Sequence, residues 1–280
     1  MATYFSATAI KERFDSSIQS KHPLVLADVG IGITAKFSEA GGADMICVDL
    51  TGMFRVDAVS SIASIMPYAN ANEVVLERAQ KVMPRVKNLP VCVGISASDP
   101  TIEPSLLFSR LKEMGVSAVA NSPSIGYYIN RERNDFEDAG MGVAREAEVL
   151  KQAKAQGFFT IGYAYDEAGA KLLGDAGVDV LVCDFRVTEG GSIGIGSAYT
   201  VEQAIDFTQK LTAAARATEQ NMYVLVHGGP VSSAEVTKVF YEQTAAVGVV
   251  AGSLIERLPV EQAIADATRS FKSTTIRSRG

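Results

Sequence analysis

Short apolar runs alternate with longer amphipathic segments along most of this chain. Each run stops at a glycine or a polar residue, as buried parallel strands do, and the segment after it has helical spacing. From residue 24 onward this unit recurs eight times, about every thirty residues. The pattern predicts strands at residues 24–28, 44–49, 90–95, 117–121, 158–163, 178–184, 223–226 and 247–251.

Eight rounds of strand and helix without a dinucleotide-binding fingerprint predict an α/β fold that closes into a single (β/α)8 TIM barrel. An open, doubly wound sheet is the alternative. Residues 9–20 have amphipathic spacing and predict a short N-terminal helix before the first strand. We therefore expect a helical extension at residues 1–22 and the barrel at residues 23–280.

Composition narrows the range of partners. The 280 residues carry a net charge of −6 without a basic block, which argues against a nucleic-acid partner. No apolar run approaches the roughly 18 residues of a membrane span, so we expect no membrane partner. Cys47, Cys92 and Cys183 lie in apolar runs without metal-ligand spacing, which indicates reduced thiols and a cytoplasmic location.

Barrel enzymes build their active sites at the carboxyl ends of the strands. The residues at those ends form a polar ring: Asp28, Asp49, Ser96, Asn121, Tyr163, Tyr165, Asp184, Arg186, His227 and Ser253. His227 is one of only two histidines and could transfer a proton near neutral pH. It could equally be a structural histidine that fixes the turn after strand seven.

The turns after the last two strands predict an anion pocket. Gly228 and Gly229 follow strand seven, and Gly252 and Ser253 follow strand eight. Glycine lets backbone N–H groups approach phosphate or carboxylate oxygens, and the next helix adds positive potential. The alternative is that these glycines only form tight turns between strand and helix.

Two loops are candidates to cover this end of the barrel. The segment 190–196 is rich in glycine, and we expect Gly191 and Ser192 to close over a bound anion. The segment 122–141 mixes tyrosines with charged residues, which suits a lid and a subunit interface equally well. The alanine-rich helix segment 212–217 favours a homo-oligomer.

The charged residues near the strand ends leave the question of a metal open. Asp28, Asp49 and Asp184 could together hold Mg2+ through oxygen ligands, or could pair with nearby basic residues such as Arg186. Lys36, early in the first barrel helix, could contact a substrate anion as a point charge. No predicted strand ends in lysine, which disfavours a Schiff-base mechanism.

Several motifs together resemble the phosphoenolpyruvate hydrolase-like family of TIM barrels. They are Gly32-Ile33-Thr34-Ala35-Lys36, Pro67-Tyr68, Gly140-Met141-Gly142, Gly190-Gly191-Ser192-Ile193-Gly194, His227-Gly228-Gly229-Pro230 and Glu256-Arg257-Leu258-Pro259. The resemblance covers nearly the whole chain and implies a relation to the phosphoenolpyruvate mutase and isocitrate lyase superfamily. It implies that Thr34, Ala35 and Lys36 line the site. Where those enzymes carry an acidic run that binds Mg2+, residues 94–99 contain one carboxylate.

These observations lead us to expect a lyase or hydrolase that cleaves a C–C or C–P bond in a small anionic 2-oxo acid or phosphorylated substrate. His227 would transfer the proton, and Arg186 and Lys36 would stabilise the developing enolate. Asp28 and Asp184 complete the predicted catalytic set. Mg2+ is the cofactor that the resemblance suggests. Two alternatives stay open, an isomerase of a phosphorylated sugar and a non-catalytic ligand-binding or scaffold barrel.

Overall fold

The computed structural model describes residues 3–196, 199–217 and 221–277. Eight parallel strands close into a barrel in chain order, which confirms the predicted (β/α)8 fold. The strands are β1 Leu24–Asp28, β2 Met45–Val48, β3 Val91–Ile95, β4 Ala118–Asn121, β5 Phe159–Ala164, β6 Val180–Asp184, β7 Tyr223–His227 and β8 Ala246–Ala251. All eight lie within two residues of their predicted bounds.

Helices surround the barrel and are numbered here in chain order. They are α1 Ala7–Gln19, α2 Gly32–Ala40, α3 Leu50–Val56, α4 Ala71–Val82, α5 Pro104–Met114, α6 Asn130–Asp138, α7 Val143–Ala155, α8 Glu167–Asp175, α9 Val201–Arg216, α10 Ala234–Gln243, α11 Ser253–Glu256 and α12 Leu258–Lys272. Every residue of strands β2 to β6 is buried, because helices cover the outside and side chains fill the inside. Among the described helices, none is long and apolar enough to cross a bilayer.

The predicted N-terminal helix closes the amino-terminal end of the barrel. Ile10 and Phe14 of α1 are fully buried and belong to the same apolar cluster as the inward-facing strand residues. The Phe14 ring packs edge-to-face against Phe159 and Tyr223, with centroids 5.5 and 5.4 Å away. The opposite, carboxyl-terminal end of the barrel is left for a ligand.

Two segments predicted as loops contain helices. Residues 50–72 form α3 and a 3₁₀ helix at Ser61–Ile65, and residues 122–141 form a 3₁₀ helix at Ile125–Tyr127 followed by α6. The hydroxyl of Tyr128 donates a 2.6 Å hydrogen bond to the carbonyl of Ile65. The two segments therefore meet above the carboxyl end of the barrel.

The last helix lies apart from the barrel wall. Of the described residues Leu258–Lys272, none is buried. An apolar groove of about 850 Å³ opens between α2 and the start of α12, and its lining includes Ile33, Phe37, Val260 and Ile264. The Phe37 and Ile264 side chains are each 63% exposed. In the segment 212–217, Thr212 and Ala215 are buried against the barrel, while Ala213 and Ala217 are exposed.

Candidate active site

A small polar pocket opens at the carboxyl ends of the strands. Seven members of the predicted polar ring line it: Asp49, Tyr163, Tyr165, Asp184, Arg186, His227 and Ser253. Its accessible volume is about 50 Å³. Asp28, Ser96 and Asn121 are not part of its lining. The strand-end rule therefore predicted many of the polar side chains that line this pocket.

His227 is held by a hydrogen bond and also lines the pocket. Its Nδ1 lies 2.8 Å from the carbonyl oxygen of Val250. Because a carbonyl can only accept, Nδ1 carries the proton, and in the neutral ring the lone pair is on Nε2. The ring packs edge-to-face on Tyr163 at 6.0 Å and lines the pocket. A structural bond thus fixes the tautomer that can act as a base.

Arg186 is held in the pocket wall by unusual backbone geometry. Its φ of 74° is in the left-handed region, which non-glycine residues adopt only when their surroundings require it. The backbone N–H donates to Asp184 at 2.6 Å, and Nη1 donates to the carbonyl of Tyr127 at 2.8 Å. The guanidinium lies 4.3 Å above the Tyr127 ring. Among the described residues, no carboxylate forms an ion pair with this guanidinium, which therefore remains available to an anion.

Asp184 lies beneath Arg186 and is buried. Its carboxylate accepts the backbone N–H of Arg186 and the hydroxyl of Tyr165, the latter at 3.0 Å. Burial raises the pKa of Asp184 above its ordinary value, although the positive charge of His227 and these hydrogen bonds oppose the shift. Burial also raises the pKa of the Tyr165 hydroxyl, so this group stays a donor near neutral pH. The pair forms one polar wall of the pocket.

Asp49 and Ser122 form a second wall of the pocket. Asp49 follows β2 and Ser122 follows β4, so β3 lies between them. Asp49 ends the β2 segment and caps α3 by accepting the N–H of Gly52 at 3.1 Å. The same carboxylate accepts the hydroxyls of Thr51 at 2.5 Å and of Ser122 at 2.6 Å. Gly94 on β3 makes this approach possible, because a Cβ there would lie 2.6 Å from the Cβ of Asp49.

Asp28 belongs to a buried ion network behind the pocket rather than to the pocket surface. Arg55 lies 3.1 Å from the Asp28 carboxylate and 2.9 Å from that of Glu256, and each of the three side chains is at most 2% exposed. Glu256 also accepts the N–H of Gly30 and the hydroxyl of Thr34. Burial raises the pKa of Asp28 to about 7, while Arg55 opposes the shift. This network is the salt bridge that the sequence left as an alternative to metal binding.

Four predicted site residues lie outside the pocket. Lys36 is exposed on α2, with its ammonium 5.9 Å from the ring of Phe37, and Thr34 lines the apolar groove. Ser192 is held by Glu261 of α12, to which its N–H donates at 3.0 Å and its hydroxyl at 2.7 Å. Gly191 also lies against α12, since a Cβ there would contact the side chains of that helix. The structure does not bring these four residues to His227.

The glycine turns after β7 and β8 are closely packed against neighbouring residues. Gly228 has a φ of 76°, and a Cβ there would lie 1.8 Å from the carbonyl oxygen of Arg186. The N–H of Gly229 donates to that same oxygen at 3.3 Å. Gly252 packs against the Asp28 and Arg55 side chains, and of the four predicted anion-binding residues only Ser253 lines the pocket.

The aspartates do not form a magnesium site in this arrangement. Asp28 is paired with Arg55, and Asp49 and Asp184 are bound to the hydroxyls and N–H groups around them. In the described part of the chain, no three histidine, cysteine, aspartate or glutamate side chains are placed to share a metal ion. One carboxylate oxygen of Asp28 is buried without a partner, but a single orphaned oxygen beside an arginine does not suit a divalent cation.

The beginning of the 122–141 segment covers the pocket. Ser122, Pro123, Ser124 and Tyr127 all line it. Glu146 of α7 is fully buried and fixes this segment by accepting hydrogen bonds from the Ser124 hydroxyl at 2.7 Å and from the N–H of Ile125 at 2.7 Å. Burial raises the pKa of Glu146 to about 7, although these hydrogen bonds oppose the shift. This first part of the segment therefore forms part of the pocket wall.

Sequence reasoning missed several lining residues. They are Thr51, Ser61, Ser64, Ile65, Ser122, Pro123, Ser124, Tyr127, Val187 and Thr188. Most belong to the two segments that were predicted as loops, where hydrophobic periodicity cannot predict which side chains face the pocket. Ser122 had one available signal, since it comes directly after the predicted end of the fourth strand.

Fold and site together define a TIM-barrel protein with a small polar pocket at the carboxyl ends of its strands. The chain belongs to the phosphoenolpyruvate hydrolase-like family, whose model matches residues 9–274. It is 35% identical over 270 residues to the ToMV resistance protein Tm-1(GCR237) of Solanum lycopersicum. The match covers 96% of this chain and 36% of that relative, so the chain spans about a third of its length.

Solved structures share the fold at low sequence identity. A 2,3-dimethylmalate lyase of the phosphoenolpyruvate mutase and isocitrate lyase superfamily aligns over 100% of this chain and 91% of its own, with 15% identity and a TM-score of 0.61. A phosphonopyruvate hydrolase in complex with oxalate and Mg2+ aligns over 96% of this chain and 89% of its own, with 13% identity and a TM-score of 0.61. At these identities the likeness establishes the barrel architecture.

Proposed function

We propose that this protein is a lyase or hydrolase that cleaves a C–C or C–P bond in a small anionic 2-oxo acid. The observation that carries the proposal is the pairing, in one small pocket, of an unpaired guanidinium with a histidine whose tautomer is fixed. A guanidinium matches the geometry of a carboxylate, and the neutral imidazole can accept or return a proton. The same fold in a phosphonopyruvate hydrolase and a dimethylmalate lyase supports this reaction class.

Each group has a role that follows from its position. Arg186 binds the substrate carboxylate and stabilises the enolate-like charge that develops when the bond breaks. His227 moves the proton at Nε2, because Nδ1 is bound to Val250. Tyr165 and Asp184 form the wall beside Arg186 and fix its backbone. Lys36 has no part in this mechanism, since it is exposed on α2.

The lining of the pocket weighs against the scaffold alternative. A scaffold barrel would fill the pocket with apolar side chains such as Met53, Phe54 or Phe185, and none of these lines it. A pocket lined by polar, titratable groups is more typical of chemistry.

The direct test is turnover of small 2-oxo acids by the purified protein, with and without Mg2+. The panel consists of phosphonopyruvate, oxaloacetate and branched 2-oxo acids, and the products are identified by NMR. We expect cleavage of at least one compound. We also expect His227→Ala to retain the fold while turnover falls by about 100-fold or more. His22, which precedes β1 at the opposite end of the barrel, provides the matched control as His22→Ala. Wild-type turnover in His227→Ala would refute the proton-transfer role.

We propose further that the protein works as a homo-oligomer in the cytoplasm. The apolar groove beside α2 and the exposed apolar side chains of α12 support association, since Phe37 and Ile264 would otherwise stay in water. The three cysteines are buried free thiols, as in a reducing compartment. Phe37→Asp should lower the mass measured by light scattering, whereas Leu106→Asp, at an equally exposed position on α5, should not. Equal masses for both variants and the wild type would contradict association through the groove.

A further inference from the structure

Two serines of the pocket each donate a hydrogen bond to a buried carboxylate. Their hydroxyl oxygens differ in the hydrogen bonds that they accept. Ser124 donates to Glu146 at 2.7 Å and also accepts the N–H of Gly126 at 3.0 Å, with the Asn121 amide at 3.5 Å. Ser122 donates to Asp49 at 2.6 Å, and among the described residues no group donates to its oxygen. The lone pairs of Ser122 Oγ are therefore free to attack a ligand in the pocket that it lines.

Asp49 is positioned as the base for this hydroxyl. One carboxylate oxygen is occupied by Thr51 and by the N–H of Gly52, and the other accepts only from Ser122 within the described chain. The residue is 6% exposed, and it is fixed as the N-terminal cap of α3. A nucleophile needs a base within hydrogen-bonding distance that is itself held in place, and the pair meets this requirement.

Gly94 provides the space for the pair. Asp49 follows β2 and Ser122 follows β4, so the intervening strand β3 separates them. A Cβ on Gly94 would lie 2.6 Å from the Cβ of Asp49, closer than real side chains allow, and 3.1 Å from the Cβ of Ser122. The two side chains meet because no side chain projects from this position of β3. The fold itself therefore places Asp49 and Ser122 in contact at the carboxyl end of the barrel.

We propose that Ser122 is a nucleophile activated by Asp49, and that it takes the acyl group of small 2,4-dioxo acids. The proposal rests on the proposed function, because it assigns a nucleophile and a substrate class to the same pocket. The substrate class follows from the chemistry available there. A serine attacks a carbonyl carbon, Arg186 binds a carboxylate, and a carbonyl beta to the 2-oxo group makes the intervening C–C bond cleavable.

The bond changes balance without a further reactant except water. Ser122 Oγ attacks the C4 carbonyl and passes its proton to Asp49. The C3–C4 bond then breaks, which leaves an acyl group on Ser122 and the enolate of the 2-oxo acid next to Arg186. Protonated His227 gives a proton to C3. Water finally hydrolyses the acyl-serine, and Asp49 returns its proton to Ser122 Oγ. Of the two protons of the attacking water, His227 takes up one and the other is released to solvent as the new acid ionises.

The test follows acylation of the full chain with two acetyl donors, 2,4-dioxopentanoate and p-nitrophenyl acetate. Samples are quenched in acid within the first turnover, and the peptide that contains Ser122 is analysed by mass spectrometry. We expect an acetyl group on Ser122 with both donors, and none at this position in Ser122→Ala. Asp49→Asn keeps a capping side chain but loses the base, and it should slow acylation by about 100-fold or more. Ser109→Ala, on the outer helix α5, is the matched control and should acylate normally.

The outcomes separate this proposal from the proposed function. Acetylation of Ser124 instead of Ser122, no acetylation with p-nitrophenyl acetate, or unchanged cleavage of 2-oxo acids by a folded Ser122→Ala would refute the nucleophile. Acetylation of Ser122 by the ester alone would support the nucleophile and overturn the 2,4-dioxo acid class. If Ser122 is acetylated but no 2-oxo acid in the panel is cleaved, the proposed function fails while the nucleophile stands. Thermal unfolding of each variant verifies that it is folded.

Discussion

Replacement of Arg55 by methionine probes the ion network that supports the pocket from behind. Arg55 is the only arginine or lysine within ion-pair distance of Asp28 and Glu256 in the described chain, and all three side chains are at most 2% exposed. Arg55→Met keeps most of the side-chain volume but leaves both carboxylates buried without a positive partner. Removal of one member of a buried ion pair typically costs about 3–5 kcal/mol.

This loss of unfolding free energy corresponds to a measurable decrease in Tm. For a chain of this size, 1 kcal/mol changes Tm by about 2–4 °C, so Arg55→Met should lower Tm by about 6–20 °C. Differential scanning calorimetry measures the change, with urea unfolding as a second method. Arg131→Met is the matched control, because Arg131 forms a pair with Asp135 while 88% exposed. The control should change stability by less than about 1 kcal/mol.

The stability deficit of Arg55→Met should also depend on pH, and the pKa of Asp28 determines the direction of that dependence. Burial raises the pKa of Asp28 to about 7 from 3.8, so in this range the native state binds a proton that the unfolded chain has lost. The stability contributed by this group is present below about pH 4 and is lost as the pH rises through 7. Without Arg55 the Asp28 carboxyl remains protonated to higher pH, so the deficit of Arg55→Met should be smaller at pH 5 than at pH 8. A deficit no larger than that of Arg131→Met, or one that grows toward acid pH, would refute the reasoning.

Three further predictions follow from single positions. The pKa of Glu146 is raised to about 7 by burial, so Glu146→Gln should gain about 2–3 kcal/mol relative to the wild type between pH 5 and pH 8, measured by urea unfolding; a constant difference would contradict this. Gly228→Ala should lower stability by about 1–3 kcal/mol in calorimetry, because it combines a φ of 76° with a clash against Arg186, and an unchanged Tm would show that the turn relaxes. Lys36→Ala should leave turnover unchanged, whereas a large loss would return Lys36 to the site.

The strands could be predicted because each is a short apolar run with a clear end. The helices α3 and α6 could not. Gly52 lies inside α3, where a glycine lowers helix propensity, and only the fold shows that its backbone packs against Gly30, where a Cβ would lie 2.3 Å from the Gly52 oxygen. The sequence of α6, Asn130–Asp138, is almost wholly charged or polar and has no apolar face to detect.

The same distinction applies to the site. His227, Asp184 and Arg186 stand at strand ends, where barrel topology alone predicts a shared pocket. Lys36 was misplaced because α2 directs that position to solvent, which local sequence does not specify. The contact between Asp49 and Ser122 could not be predicted from the sequence for another reason. It joins residues 73 positions apart across an intervening strand, and it depends on a missing side chain.

The most direct test of the central claim is the binding of oxalate, a small dicarboxylate, to the wild-type protein and to Arg186→Met, with Mg2+ present or chelated. Oxalate at one hundred times its Kd should stabilise the wild type by about 2.7 kcal/mol. The account predicts that this stabilisation is lost in Arg186→Met, while the variant without ligand unfolds as one folded domain. Equal stabilisation of both proteins, or no stabilisation of the wild type by oxalate or any 2-oxo acid, would contradict the assignment of this pocket.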